Sequence, residues 1–184
     1  MLNGKEKKIL INIVKETIKA HLNSNDQPDF YYGQKALNEE VGAFVTLKIE
    51  GKLRGCIGML ITKEPLYITV SNMALEAAFH DPRFEALKKE EYTALEVEIS
   101  VLTPFKKIDS IDEIEVGKHG LMISRGNNSG LLLPQVATEY AWDKNTFLEH
   151  ACIKAGLSTD AWKESDVEIC IFSAEVFRSE EAGK

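Results

Sequence analysis

The sequence predicts an α+β fold of antiparallel sheets with flanking helices. Short stretches alternate apolar and polar residues, as strands with one buried face do. Two pairs of such stretches are joined by glycine-containing turns and read as hairpins. Helical periodicity appears between the hairpins and not in strict strand-helix alternation, which argues against a doubly wound parallel sheet.

The elements follow in order. From Lys5 to Leu22 the residues Ile9, Leu10, Ile13, Val14, Thr17 and Ile18 recur at helical spacing, with lysines and glutamates opposite. Asn23 to Asp26 ends that helix, and Gln27 to Glu40, holding Pro28 and Gly33, reads as a loop with one short helical turn. Gly42 to Ile49 alternates as a strand, Glu50-Gly51-Lys52 turns, and a second strand returns from Leu53 to about Ile61. Pro65 suits the first turn of a helix continuing to Phe79, and His80-Asp81-Pro82 stops it.

Leu95, Val97, Ile99 and Val101 alternate with Glu96, Glu98 and Ser100 as a strand closed by Pro104. A second hairpin runs from His119 to Ser124 and from Gly130 to Leu133. Asp143 caps a helix to Ala155, with Gly156 as its C-terminal stop. Val167 to Phe177 reads as one long strand, and Ser179 to Lys184 as a frayed tail.

At 184 residues the chain suits one domain with a self-sufficient core. Its formal charge of -7 argues against a nucleic-acid binder held by phosphate contacts. There is no apolar run of membrane-spanning length and no signal-peptide pattern, so a cytoplasmic protein is expected. The three cysteines, Cys56, Cys152 and Cys170, are odd in number and far apart, which predicts free thiols rather than a disulfide framework.

The stretch with chemical potential is Leu53-Arg54-Gly55-Cys56-Ile57-Gly58. On a regular strand Arg54, Cys56 and Gly58 share one face, alternate residues being about 7 Å apart. The guanidinium can then reach the sulfur and favour its reactive thiolate, while Gly58 leaves room for a ligand or another backbone. The competing explanation makes Cys56 a small core residue, Arg54 the partner of a carboxylate and the glycines bulge or packing positions.

Asp81 reads as an N-cap with Pro82 at the first helical position. Arg83 offers an anion-binding fork or an exposed salt bridge. His119 and His150 sit within or beside apolar elements, where a buried, hydrogen-bonded imidazole is the default, and neither forms a metal motif. Cys152 and Cys170 read as packing. Gly126 to Gly130 joins two strands and so reads as a hairpin turn, not a phosphate loop. No cofactor fingerprint occurs.

The intact Leu53 to Gly58 hexapeptide, Asp81-Pro82-Arg83-Phe84, Val116 to Leu121, Gly130 to Ala137, Trp142, Lys154 to Leu157 and Ala161-Trp162 together resemble the AMMECR domain family over roughly residues 40 to 175. The resemblance implies two unequal subdomains with a cleft between them that the hexapeptide faces. The larger would comprise about 1–103 plus 166–184, and the smaller about 104–165. It also implies an AmmeMemoRadiSam-type setting with Memo-like and radical SAM partners, without naming a reaction or cofactor.

Two functions follow from these readings. One is a binding or accessory module whose cleft holds a protein segment or small molecule, with Gly55, Gly58 and Arg83 at the binding surface. The other is an enzyme with Cys56 as nucleophile or thiol ligand, Arg54 as thiolate stabiliser or anion anchor, and His119 as base.

Overall fold

The computed structural model describes residues 2–179 and contains two antiparallel four-stranded sheets, each with helices against it. The chain divides into a first unit, up to Leu102 and again from Ala174, and a second unit, Thr103–Ser173.

In the first unit α1 (Gly4–Leu22) starts at a capping box, in which the Asn3 side chain accepts from the Glu6 N–H and the Glu6 carboxylate accepts from the Asn3 N–H. Its stripe of Leu10, Ile13, Val14 and Ile18 is fully buried. The expected single turn in the following loop is a 3-10 turn at Lys35–Asn38. Strand β1 (Ala43–Ile49) pairs with β2 (Lys52–Met59) on one side and β3 (Leu95–Leu102) on the other, and β8 (Ala174–Arg178) completes the order β2-β1-β3-β8.

Ala43, Val45, Leu47, Val97, Ile99 and Phe177 form the core face of this sheet, packed with α1 and α2 (Leu66–Leu75). The opposite face carries Phe44, Thr46, Lys48, Cys56 and Gly58, alternate positions set by the register. Helix α2 passes directly into a π-helical turn, Glu76–His80, where the sequence suggests a plain continuation to Phe79.

In the second unit β4 (Lys106–Lys107), β5 (Gly120–Arg125), β6 (Asn128–Leu132) and β7 (Glu168–Phe172) lie in the order β4-β7-β5-β6. Helix α4 (Lys144–Lys154) buries Phe147, Leu148, Ala151 and Cys152 against this unit's core. The expected N-cap is present, Asp143 accepting from the Thr146 N–H at 2.8 Å. Helix α3 (Pro134–Glu139), with Pro134 in its first turn, is an element the sequence reading does not contain.

The expected single strand from Val167 to Phe177 is two strands in two sheets, broken at Ser173. An alternating pattern reports that one face is buried, not which sheet buries it. Strand β7 therefore belongs to the second unit, although the sequence-based division gave residues 166–184 to the larger one. The Thr103 N–H donates to the Ser173 carbonyl, and the Ser173 N–H to Thr103 Oγ1, both at 2.8 Å. Within the predicted frayed tail, Ser179 donates its N–H to the Val97 carbonyl at 2.9 Å, and residues 180–184 lie outside the described residues.

Three helices end in the same way, with a residue at positive φ just past the cap: Ser24, Ala141 and Gly156. After α3 the Trp142 N–H reaches the Ala137 carbonyl and the Ala141 N–H the Thr138 carbonyl, the two bonds of a Schellman motif. Only Gly156 adopts that conformation without Cβ strain. Ala141→Gly is therefore expected to stabilise the chain by about 0.5–1 kcal/mol, the relieved left-handed strain less the added unfolded-state entropy. Urea denaturation measures it, and an unchanged or lower midpoint would contradict the strain.

Candidate functional site

The hexapeptide lies on β2, an edge strand, but β2 is not regular. Leu47 pairs with Gly55 and Lys48 with Leu53, so Arg54 is the extra residue of a β-bulge. The bulge breaks the alternation that would have set Arg54 beside Cys56. Its guanidinium instead donates to Glu91 from Nε at 2.8 Å and from Nη2 at 3.0 Å, the forked pairing of arginine with carboxylate. Each partner holds the other charged: the hydrogen bond to Glu91 raises the Arg54 pKa, and the same bond lowers that of Glu91.

Cys56 is half-buried, and its sulfur accepts from Thr46 Oγ1 at 3.2 Å across the β1–β2 pair. Its backbone is held from the strand's outer side. The N–H donates to Asp81 Oδ2 at 2.9 Å, and the carbonyl accepts from Arg83 Nη2 at 3.0 Å. Asp81 and Arg83 thus occupy the place a neighbouring strand would take.

They also bind each other. Asp81 Oδ1 accepts from the Arg83 N–H and Nε, and Oδ2 from Arg83 Nη2 at 2.7 Å. The Asp81 side chain is 1% exposed, and its pKa lies far below the ordinary carboxylate value, chiefly because the Arg83 guanidinium donates to it. Of the two arginines it is Arg83 that reaches Cys56.

Asp81 is therefore not the N-cap expected of it. The chain after it makes a turn, with the Phe84 N–H donating to the Asp81 carbonyl at 3.1 Å, and residues 85–88 then run on as irregular chain. Gly55 is buried on the core face, where a Cβ would overlap the Ala77 carbonyl of the π-helical turn. The room expected beside Gly58 is filled by the Phe44 ring. What comes close to these two glycines is the protein itself.

His119 lies in the second unit just before β5, its Nδ1 accepting from the Glu115 N–H at 3.1 Å. His150 is half-buried and stacks on Trp142, with ring centroids 3.9 Å apart and planes within 6°, in place of the expected buried hydrogen bond. Cys152 and Cys170 are buried, and burial pushes both thiols up in pKa. Among the described residues no three His, Cys, Asp or Glu side chains are grouped to hold a metal ion, and no helix is long and apolar enough to cross a membrane.

The structure thus joins Cys56, Asp81 and Arg83, pairs Arg54 with Glu91, and leaves His119 in the other unit. Sequence reasoning missed Glu91 and the grip of Asp81 on the Cys56 N–H. Beside this cluster, between the outer edge of β2 and α2 with its π-helical turn, is an open groove of about 510 Å3. Ile57, Met59, Met73 and Leu75 give it apolar walls, and Asn72, Glu76 and His80 its polar groups.

Comparison with known proteins accords with this architecture. The AMMECR1 family model matches residues 11–177. Protein MK0488 of Methanopyrus kandleri is 40% identical over 98% of this chain and 91% of its own length. A protein of Aquifex aeolicus is 44% identical over 78% of this chain and 77% of its own. The crystal structure of the uncharacterized protein PH0010 from Pyrococcus horikoshii superposes with a TM-score of 0.73 at 37% identity, covering 93% of this chain and 90% of that one. The sheet pairing, the matched span and these likenesses agree: the chain belongs to the AMMECR1 family.

Proposed function

We propose that this chain is a non-catalytic binding component of an AmmeMemoRadiSam-type system, with its binding surface along the hexapeptide strand. The observation that carries the reading is the state of the motif's reactive groups. Arg54 is engaged by Glu91, the Cys56 backbone by Asp81 and Arg83, and the sulfur accepts a hydrogen bond from the Thr46 hydroxyl. A cysteine nucleophile is activated by a neighbouring base or by a nearby cation, and Thr46 supplies neither. The groove next to the motif, in contrast, has the apolar walls and few polar groups of a binding site.

The partners we propose, Memo-like and radical SAM proteins, rest on the resemblance described above. The sequence pattern that predicts a cytoplasmic location supports the same setting, in which Cys56, Cys152 and Cys170, all free thiols, would stay reduced. The enzyme reading keeps one supporting observation, the Arg83 guanidinium bonded to the Cys56 carbonyl.

Retention of the two partners on the tagged full-length chain separates the readings. Met59, 40% exposed at the end of β2, is expected to matter, so Met59→Asp should weaken retention by about tenfold, the effect of 1.4 kcal/mol. Cys56→Ser should leave retention within about twofold and support the system's activity. A Cys56→Ser variant as inactive as a deletion would establish the enzyme reading instead.

A further inference from the structure

The outer edge of β2 is closed at one position and open at the next. The N–H and C=O of Cys56 point away from β1 and are taken by Asp81 and Arg83. Strand periodicity of two directs the N–H and C=O of Gly58 the same way, since Cys56 faces Thr46 and Gly58 faces Phe44 in one uninterrupted register. Among the described residues neither Gly58 group meets a partner. An unpaired donor and acceptor at peptide spacing on a sheet edge are what strand addition uses.

The groove adjoins this same residue. Gly58 lines it together with Ile57, Met59 and Met73, so an apolar side chain of an added strand has a place to go. At its rim stand Glu76 and His80, the Glu76 carboxylate 3.2 Å from His80 Nδ1 and its side chain 45% exposed. The Glu64 carboxylate accepts from Asn72 nearby, at 3.0 Å. The local charge is thus acidic, as is the whole chain at -7, which favours a basic occupant. A second copy is disfavoured on both counts: it is equally acidic, and its own Asp81–Arg83 clasp would stand in the way of an edge-to-edge pairing.

We propose that Gly58 receives an extended segment of a partner protein by antiparallel or parallel strand addition, with an apolar residue in the groove and a neighbouring Lys or Arg against Glu76. The inference rests on the binding-component reading and names the kind of segment bound. The Asp81–Arg83 clasp limits the pairing to one residue of β2, so side chains rather than a long ladder set the affinity.

A library of linear seven-residue peptides displayed on phage, selected against the full-length chain, tests it. Selected peptides are expected to share an apolar residue next to Lys or Arg. A synthetic peptide of that sequence should slow amide exchange at Gly58, and its affinity should fall about tenfold with Glu76→Lys, an exposed change that leaves the core intact. N-methylation of the peptide should abolish binding at one backbone position only. No enrichment, or binding that leaves Gly58 exchange and the Glu76→Lys affinity unchanged, overturns the proposal. Partner retention that persists without Gly58 protection defeats this inference alone, whereas absence of all partner retention defeats the reading beneath it.

Discussion

Gly55→Ala is expected to destabilise the chain by about 3 kcal/mol, the upper end of overpacking costs in a filled core. Gly55 faces the helices, and the atom its new Cβ would overlap is the backbone carbonyl oxygen of Ala77, itself 1% exposed. A backbone in a packed π-helical turn cannot rotate away as a side chain can. Gly58→Ala is the internal control, because the obstacle there is the ring of half-buried Phe44, which can swing toward solvent. Equilibrium urea denaturation of both variants should rank Gly55→Ala well below Gly58→Ala, and equal midpoints would refute the packing assignment.

Asp81→Asn is expected to cost about 3 kcal/mol at pH 7, since it removes the charge that holds Arg83 and weakens the bond from the Cys56 N–H. The pH dependence has a definite sign. The folded-state pKa of Asp81 lies below the unfolded carboxylate value of about 3.9, so the stabilisation is fully present above that pH and is lost as pH falls toward the folded value. The gap between wild type and variant should therefore narrow below about pH 4. Denaturation at pH 7 and at pH 3 tests this, and a gap of constant size would mean that the carboxylate charge is not what holds the turn.

Much of the architecture was legible because periodicity records burial. The α1 stripe, the β1–β2 and β5–β6 hairpins, the β3 alternation and the Asp143 and Gly156 helix ends are all local signals. What escaped depends on contacts distant in sequence. The glycines beside Arg54 allow a bulge without fixing where it falls, and Glu91 is one of many carboxylates the arginine could have met. The π-helical turn arises where α2 runs against Gly55. Asp81-Pro82 carries the same local signature whether it opens a helix or a turn, and only the nearby Cys56 N–H decides which.

The two hydrogen bonds between Thr103 and Ser173 bear on the order of folding. The second unit is an insertion between β3 and β8, strands that must find each other across the whole of Thr103–Ser173. In a disordered chain that search costs about 2–3 kcal/mol more loop entropy than a tight hairpin. Once the inserted unit has folded, its two ends are already fastened together, and β8 meets β3 as though the connection were only a few residues long. Independent folding of the insertion would thus act as a template for closing the sheet that carries the hexapeptide.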